Sequence, residues 1–247
     1  MSKSPKICAT IEARMTSSRL PGKVLKPIQD KPVLELMVER LKQVPSLDGI
    51  ILATTTNADD EPLVDLASRL GIDCYRGSED DVLQRVLGAA QSHGADVIVE
   101  TLGDCPLIDP ALVEQCVQEW NKGDVDHVCN FHPYTYPIGM EIEVFATDVL
   151  ADVARRTDDP AHHEHVTTFI WEHPDLYRLR SVQGPPELSA PDIHITLDTQ
   201  NDFELIKSIF DALYPNNPAF DLGDILTLLR NRPELLNLVK DVHRNVF

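Results

Sequence analysis

Ile7-Cys-Ala-Thr-Ile11 is a short apolar run, and Glu12 joins it to Ala13-Arg-Met-Thr-Ser-Ser-Arg-Leu-Pro-Gly-Lys-Val-Leu-Lys-Pro-Ile-Gln29. The run predicts a buried first strand. The segment that follows carries four cations and no carboxylate. In open α/β sheets, a basic loop with Gly and Ser that leaves the carboxyl end of the first strand is a place for phosphates. The stretch therefore predicts an α/β fold with an anion site beside its first strand.

The overall charge makes this basic segment stand out, because the 247-residue chain has a formal net charge of -18. Such a balance argues against nucleic-acid binding and against docking on anionic membranes. The first residues do not predict a signal peptide, because no apolar run of sufficient length follows them, and no stretch approaches the ~20 apolar residues of a membrane span. The five cysteines include no CxxC pair, so we expect reduced thiols and a cytoplasmic protein.

Strand and helix patterns alternate through the first half of the chain. Strands are predicted at 7–11, 48–54, 72–75 and 96–101, and helices at 31–43, 60–70, 81–93 and 109–120. This order predicts a three-layer α/β/α fold with a mostly parallel, Rossmann-like sheet.

The second half is less regular. Strands are predicted at 125–130, 140–145, 177–182 and 193–197, and helices at 147–156, 160–172, 202–213 and 222–239. No linker divides the chain. We therefore interpret residues 1–247 as a single domain, with 130–190 as an elaboration on it.

The basic loop has the features that a polyphosphate requires. Gly22 allows a close approach of the backbone, and Pro21 stiffens the turn. Arginine can bind two phosphate oxygens at once, whereas lysine supplies a mobile point charge. Neither GxxxxGK[ST] nor GxGxxG is present. The residues alone leave a solvated basic loop as the alternative.

The stretch Glu12-Ala-Arg-Met-Thr-Ser-Ser-Arg-Leu-Pro-Gly-Lys-Val-Leu-Lys-Pro-Ile28 closely resembles the signature loop of the cytidylyltransferases, which include the CMP-sialic acid and CMP-Kdo synthetases. It is most similar to the branch named for spore-coat polysaccharide biosynthesis, which usually has Gln at position 12. The resemblance implies a fold of the nucleotide-diphospho-sugar transferase type. It also implies that Arg14, Arg19 and Lys23 contact the triphosphate of CTP. The expected nucleotide-binding set is Ala13, Arg14, Ser18, Arg19, Gly22, Lys23, Thr54, Arg76 and Asp104.

Two aspartates follow predicted strands. Asp104 lies in Gly103-Asp-Cys-Pro-Leu107, and Asp198 lies in Ile195-Thr-Leu-Asp-Thr-Gln-Asn-Asp-Phe-Glu204. The alternative for Asp104 is an aspartate in a turn at the start of a helix. The alternative for Asp198 is the N-cap of a helix. The cytidylyltransferase resemblance implies instead that each supplies one magnesium ligand. Mg²⁺ is commonly bound by one or two carboxylates together with phosphate oxygens.

Thr135-Tyr-Pro-Ile-Gly-Met-Glu-Ile-Glu-Val-Phe145 resembles the stretch that the family places over the acceptor. Glu141 and Glu143 share a face by the period of two, with a solvated edge face as the alternative. The resemblance implies an acceptor or dimer role for 130–190. The expected acceptor-binding residues are Tyr136, Gly139, Glu141, Glu143 and His165.

Taken with the basic loop, the cytidylyltransferase resemblance implies a Mg²⁺-dependent nucleotidyltransferase that moves CMP from CTP to a sugar acid or small phosphorylated acceptor, releasing pyrophosphate. We expect a homodimer that acts in surface polysaccharide biosynthesis. The expected catalytic residues are Arg14, Lys23, Asp104 and Asp198. A non-catalytic nucleotide-binding subunit and a glycosyltransferase that uses a nucleotide sugar are the alternatives. The triphosphate-type loop argues against the glycosyltransferase.

Overall fold

The computed structural model of the protein describes residues 4–240 and 242. Its strands are β1 (Ile7–Glu12), β2 (Pro27–Ile28), β3 (Lys31–Pro32), β4 (Gly49–Thr55), β5 (Asp73–Gly77), β6 (Val97–Leu102), β7 (His127–Cys129), β8 (Glu143–Ala146) and β9 (Leu179–Ser181). Its α-helices are α1 (Val33–Leu41), α2 (Glu61–Leu70), α3 (Val82–Ser92), α4 (Pro110–Asn121), α5 (Thr147–Arg156), α6 (Pro160–Glu164), α7 (Thr168–Glu172), α8 (Gln200–Leu213) and α9 (Leu222–Asn231).

The main sheet is mostly parallel, as the sequence predicts. Over the described residues it contains seven strands in the order β5-β4-β1-β6-β8-β7-β9. Among these strands β8 alone runs antiparallel to its neighbours, β6 and β7. The carboxyl ends of β1, β4, β5 and β6 therefore meet at one edge of the sheet. The loops that follow these four strands converge at that edge.

Two apolar cores lie on opposite faces of this sheet. Ala9 and Ile11 pack in a core with α1, α2, α4, α8 and α9. Cys8, one residue along the same strand, packs in a second core with α3, α5 and α7. Because neighbouring strand residues point to opposite faces, β1 is buried on both sides. The three-layer α/β/α architecture is thereby confirmed.

Three predicted elements differ from the observed ones. A proline explains one of these differences, and the absence of continuous strand pairing explains another. The strand predicted at 193–197 is wrong, because this segment forms only an isolated bridge between Ile138 and His194. The helix predicted at 222–239 ends at Asn231 and continues as a 3-10 helix from Pro233, since proline disfavours helix at the preceding residue. The helix predicted at 160–172 is split into α6 and α7.

Candidate active site

The basic loop after β1 is closed by a left-handed glycine. Gly22 has φ 68°, which glycine adopts without the steric cost that a side chain would add. Its N–H donates to the carbonyl oxygen of Met15 at 2.9 Å. A 3-10 turn, Lys23–Leu25, follows at once and buries Val24. The loop therefore returns to the sheet and carries Lys23 toward the edge where the strands end.

Asp60 holds the same loop from the other side, a role that the sequence did not reveal. The prediction had it opening the helix at 60–70, but its fully buried carboxylate accepts from the backbone N–H of Met15 at 2.7 Å. It also accepts from the backbone N–H of Thr55 at 3.1 Å and from the Thr55 hydroxyl. Asp60 thus ties the basic loop to the end of β4.

Lys23 lies between the two predicted metal aspartates. Its Nζ is 3.0 Å from Asp104 Oδ2 and 3.2 Å from Asp198 Oδ1. Arg19 reaches Asp198 at 2.7 Å. The Leu197 backbone N–H donates to the Asp104 carbonyl oxygen at 2.7 Å, which aligns the two chain segments. The structure therefore brings together Lys23, Asp104 and Asp198, which are far apart in the sequence.

The N-cap alternative for Asp198 does not hold, and Asp104 lies in a turn that does not begin a helix, since α4 starts only at Pro110. Thr199 is the N-cap of α8, and its side chain forms a capping box with Asp202. Asp109 caps α4 by accepting from the Ala111 N–H at 2.8 Å. Neither Asp104 nor Asp198 is the N-cap of the helix that follows it, so their carboxylates are available for other chemistry.

The donor set at this point fits Mg²⁺. Asp104 and Asp198 share one ammonium ion, so their oxygens face a common point, and oxygen is the ligand atom that Mg²⁺ prefers. Burial alone would lower the pKa of Lys23, but the charges of Asp104 and Asp198 raise it above its ordinary value. Across residues 4–240 and 242, no group of three or more His, Cys, Asp or Glu side chains could hold a metal. A two-carboxylate site completed by phosphate oxygens is consistent with that finding.

Arg14 and Glu79 connect the basic loop to the turn before α3. Arg14 is exposed and pairs with Glu79 at 3.1 Å. Thr16 also donates to Glu79, at 2.7 Å, as does Asn57 at 2.5 Å. Glu79 was missed at the sequence level, because its role depends on three residues from other segments. Ser18, expected in the nucleotide site, is exposed on the same loop.

Thr54 and Arg76 were also expected to bind the nucleotide, but their surroundings differ from those of the loop residues. Thr54 is fully buried. The Arg76 guanidinium donates to the carbonyl oxygens of Thr55 (3.0 Å) and Asn57 (2.8 Å) and to the Glu61 carboxylate (2.6 Å). Arg76 therefore stabilises the turn after β4. Its contact with a nucleotide stays a prediction.

Gly103 marks a close approach between the basic loop and the Asp104 turn. Its N–H donates to the Glu12 carbonyl oxygen at 2.9 Å. A Cβ at this position would lie 2.7 Å from that oxygen and 3.0 Å from the Ala13 Cβ. Ala13 itself is buried. A side chain at position 103 would therefore push the two active-site segments apart.

We expect Gly103→Ala to lower the free energy of unfolding by about 1–3 kcal/mol, as overpacking does, and to reduce turnover as well. Thermal denaturation and an activity assay would measure both effects. Gly49→Ala is the matched control, because its Cβ would meet only Cys8 Sγ at an ordinary 3.5 Å. Equal behaviour of the two variants would contradict the close approach.

The predicted acceptor residues divide into buried and surface positions. Tyr136 is in the core, where its ring leaves no space for a Cβ at Gly184. Gly139 has φ 108°, and a Cβ there would lie 2.9 Å from the backbone of Ile195. His165 is exposed and follows α6. Tyr136 and Gly139 therefore shape the wall that carries Glu141, whereas His165 lies on the surface.

Glu143 is a partly buried and fully engaged carboxylate. It contacts His127 Nε2 at 2.5 Å and accepts from Thr167 Oγ1 at 2.9 Å and Trp171 Nε1 at 3.3 Å. A solvated edge face, the alternative reading of this strand, does not fit these contacts. Glu143 thus fixes β7, β8 and α7 to one another beside the site.

Glu141 is likewise partly buried and accepts from the Gly139 N–H at 2.7 Å. Burial, opposed by this backbone hydrogen bond and supported by the charges of Asp104 and Glu143, raises the pKa of Glu141 from 4.5 to about 7. The folded protein therefore holds this proton more tightly than the unfolded chain does. The resulting stability is complete below pH 4.5 and is lost as the pH rises through about 7.

We expect the Glu141→Gln variant to escape this loss, since an amide keeps the hydrogen bond and never ionises. From acid to mildly alkaline pH, the wild type should lose about 3 kcal/mol relative to the variant. Chemical denaturation at a series of pH values measures the difference. Glu187→Gln, at an exposed position, serves as the control. Parallel curves for wild type and Glu141→Gln would refute the assignment.

A mostly parallel sheet, a cationic loop after its first strand and a facing pair of aspartates are together typical of a nucleotide-binding protein with a Rossmann-like fold. Residues 8–236 match the family model described as cytidylyltransferase. The chain belongs to the cytidylyltransferase family.

Relatives and solved structures agree with this assignment. The chain is 32% identical over 233 residues to the spore coat polysaccharide biosynthesis protein SpsF of Bacillus subtilis, covering 91% of this chain and 94% of the relative. It is similar to the structure of a cytidylyltransferase from Leptospira borgpetersenii serovar Hardjo-bovis, with TM-score 0.89, 28% identity and coverage of 98% and 99%. It shares the fold of a CMP:2-keto-3-deoxy-manno-octonic acid synthetase complexed with CTP, with TM-score 0.63, 18% identity and coverage of 83% and 98%.

None of the helices in residues 4–240 and 242 has the length and apolar character needed to cross a membrane.

Proposed function

We propose that the chain transfers CMP from CTP to a small sugar or phosphorylated acceptor, with release of pyrophosphate, for surface polysaccharide biosynthesis. The observation that carries this proposal is the convergence of Lys23 and Arg19 on Asp104 and Asp198. Cations suited to a triphosphate and carboxylates suited to Mg²⁺ meet at one point. Family membership and the name of the Bacillus subtilis relative support the choice of nucleotide and pathway.

The loop cations bind and orient the nucleotide. Arg14, Arg19 and Lys23 hold the β- and γ-phosphates, and they stabilise the charge that develops on pyrophosphate as it leaves. Asp104 and Asp198 would hold Mg²⁺, which would neutralise phosphate charge and make the α-phosphorus more electrophilic. An acceptor oxygen forms the new bond to the α-phosphorus, and the bond from that phosphorus to the bridging oxygen of pyrophosphate breaks.

The acceptor approaches from the side of Glu141 and Glu143. Glu143 is held by three donors, so it orients its surroundings rather than moving. Glu141, with a pKa near 7, can take up a proton from an acceptor hydroxyl. Tyr136 and Gly139 shape this wall, and His165 borders it. We further propose a homodimer in the cytoplasm, with residues 130–190 serving the acceptor site or the dimer contact.

A nucleotide screen tests this function directly. The protein is incubated with Mg²⁺ and CTP, UTP or GTP, together with a panel of sugar acids and phosphorylated acceptors, and pyrophosphate release is followed. Release with CTP and at least one acceptor supports the proposal. CTP binding without turnover on any acceptor would favour a non-catalytic subunit. Release of UDP from UDP-sugars would favour a glycosyltransferase.

A further inference from the structure

A histidine on α6 forms a contact between the second half of the chain and the start of α3. The Nδ1 atom of His163 lies 2.8 Å from Asp81 Oδ1, and its Nε2 atom lies 3.0 Å from the carbonyl oxygen of Thr157. Both of these oxygens are hydrogen-bond acceptors, whereas a neutral imidazole has only one N–H to donate. Two donated hydrogen bonds therefore require the imidazolium form of His163.

The surroundings of the ring favour this charged form. The hydrogen bonds to the Thr157 carbonyl oxygen and to Asp81, together with the negative charge of Asp158, outweigh partial burial and raise the pKa of His163 above 6.5. Asp159, in the same loop, caps α6 instead. His163 therefore carries its charge below neutral pH and loses it as the solution becomes alkaline.

Other ionisable groups on the neighbouring elements bind elsewhere. Arg85, near the start of α3, donates its guanidinium hydrogens to the carbonyl oxygens of Ser78 and Glu79. His162, beside His163 on α6, contacts Glu172 Oε2 at 2.9 Å. The imidazolium of His163 is thus the positive charge that α6 presents to the start of α3.

Asp81 links His163 to the turn that holds the basic loop. The Oδ1 atom that faces His163 also caps α3, and the Asp81 N–H donates to Ser78 Oγ at 3.1 Å. Within this turn (78–81, the Glu79 turn), Glu79 pairs with Arg14 of the basic loop at 3.1 Å. One capped helix end therefore connects α6 to a cation of the candidate active site.

We propose that His163 is a positioning residue for the CTP site, which in its charged form fixes the start of α3 and, through it, the Glu79 turn on which Arg14 rests. The proposal rests on the proposed use of CTP. Loss of a ring proton leaves a nitrogen lone pair facing an acceptor oxygen, so one of the two contacts opens. The Glu79 turn then holds Arg14 less firmly. In this role His163 contacts neither the nucleotide nor the acceptor.

Glutamine and arginine at position 163 separate the charge from simple packing. Glutamine can donate without a charge, whereas arginine stays positive throughout the pH range of the test. At about pH 6, we expect the thermal midpoint of His163→Gln to lie about 2–4 °C below that of the wild type, as on loss of a hydrogen bond to a charged group in a chain of this size. The midpoint of His163→Arg should stay within about 1 °C of the wild type.

The pH dependence of these midpoints reports the charge of His163. Stability that comes from a raised histidine pKa is complete below 6.5 and is lost as the pH rises through the folded-state value. Toward about pH 9, the wild-type midpoint should therefore approach that of His163→Gln, while His163→Arg stays above both. The titration of other groups, such as Glu141, is common to the three proteins and cancels in the differences.

Hydrogen exchange measures the position of the turn without any nucleotide. Near pH 6, peptides that cover residues 13–17 and 78–84 should exchange about threefold or more faster in His163→Gln than in the wild type. They should exchange at the wild-type rate in His163→Arg. Wild-type exchange in His163→Gln would overturn the positioning role.

His93→Gln is the matched control for exchange and for nucleotide affinity. His93 is also partly buried, contacts the Ala89 carbonyl oxygen at 3.0 Å and lies 3.9 Å from an Asp73 carboxylate oxygen. It is the C-cap of α3, at the end of the helix that is far from the Glu79 turn. The control should therefore behave as the wild type does in both measurements, and a change as large as that of His163→Gln would contradict the proposal.

Calorimetric titration with CTP and Mg²⁺ measures the consequence for the site. The Kd of His163→Gln divided by that of the wild type should be about 3–10 near pH 6, where the wild type carries the charge, and should approach one near pH 9. The titration of CTP itself cancels in this ratio. Parallel midpoint curves, or a ratio of one at both pH values, would overturn the proposal. If the wild type binds no CTP, the proposed function fails, whereas the midpoints and the exchange rates still decide on His163.

Discussion

Asp104→Asn is expected to abolish nearly all pyrophosphate release, with a loss of about 10³-fold or more in turnover. Asparagine has almost the same shape but carries no charge, so one of the two carboxylates that we propose as Mg²⁺ ligands loses its negative charge. Lys23, which contacts both Asp104 and Asp198, retains Asp198 as a partner, and the fold should persist. A coupled pyrophosphate assay with CTP and saturating Mg²⁺ measures the loss.

The control for this variant is Asp73→Asn, an exposed aspartate at the opposite, amino end of β5. It should turn over at the wild-type rate. Circular dichroism and a thermal scan should show that both variants keep the wild-type fold. Normal turnover by Asp104→Asn would rule out the two-carboxylate site.

Lys23→Met is expected to lower the turnover of CTP and to raise the affinity of the protein for a divalent metal ion. Methionine keeps much of the length of the side chain but removes the ammonium ion. Turnover of CTP should fall by about 10²–10³-fold, as on loss of one preorganised charge at a reacting phosphate. In the absence of nucleotide, affinity for Mn²⁺ should rise, because a divalent ion no longer competes with Lys23 for the same two carboxylates.

Electron paramagnetic resonance of free Mn²⁺ measures the second effect without any turnover. Lys207→Met is the control, because Lys207 pairs with Asp211 on the surface of α8. It should leave both turnover and Mn²⁺ affinity unchanged. Weaker Mn²⁺ binding by Lys23→Met than by wild type would show that Lys23 supports the metal site rather than competing for it.

The fold was largely readable from the sequence because the apolar runs and helical patterns are strong in the first half of the chain. α5 begins and ends where it was predicted. The segment 193–197 has the β-branched composition of a strand, yet it pairs with Ile138 only briefly before Leu197 turns to the Asp104 carbonyl. Tertiary hydrogen bonds of this kind leave no periodic signal in the sequence.

The candidate site was readable only in part. Lys23, Asp104 and Asp198 were predicted from loop composition, strand ends and resemblance, and the structure brings them together. Asp60 and Glu79 were missed, because each acts on residues from other segments. An Asp before a helix also has an ordinary explanation as a cap, which concealed the contact of Asp60 with the basic loop.

The hydrogen bond from Leu197 to the Asp104 carbonyl has a consequence for the order in which the enzyme matures. Lys23 and Asp104 are separated by 81 residues, but Lys23 and Asp198 by 175. During synthesis on the ribosome, the amino-terminal strands emerge long before Asp198 does. A nascent chain can therefore pair β1, β4, β5 and β6 with one another before Asp198, the second carboxylate of the proposed site, has been synthesised.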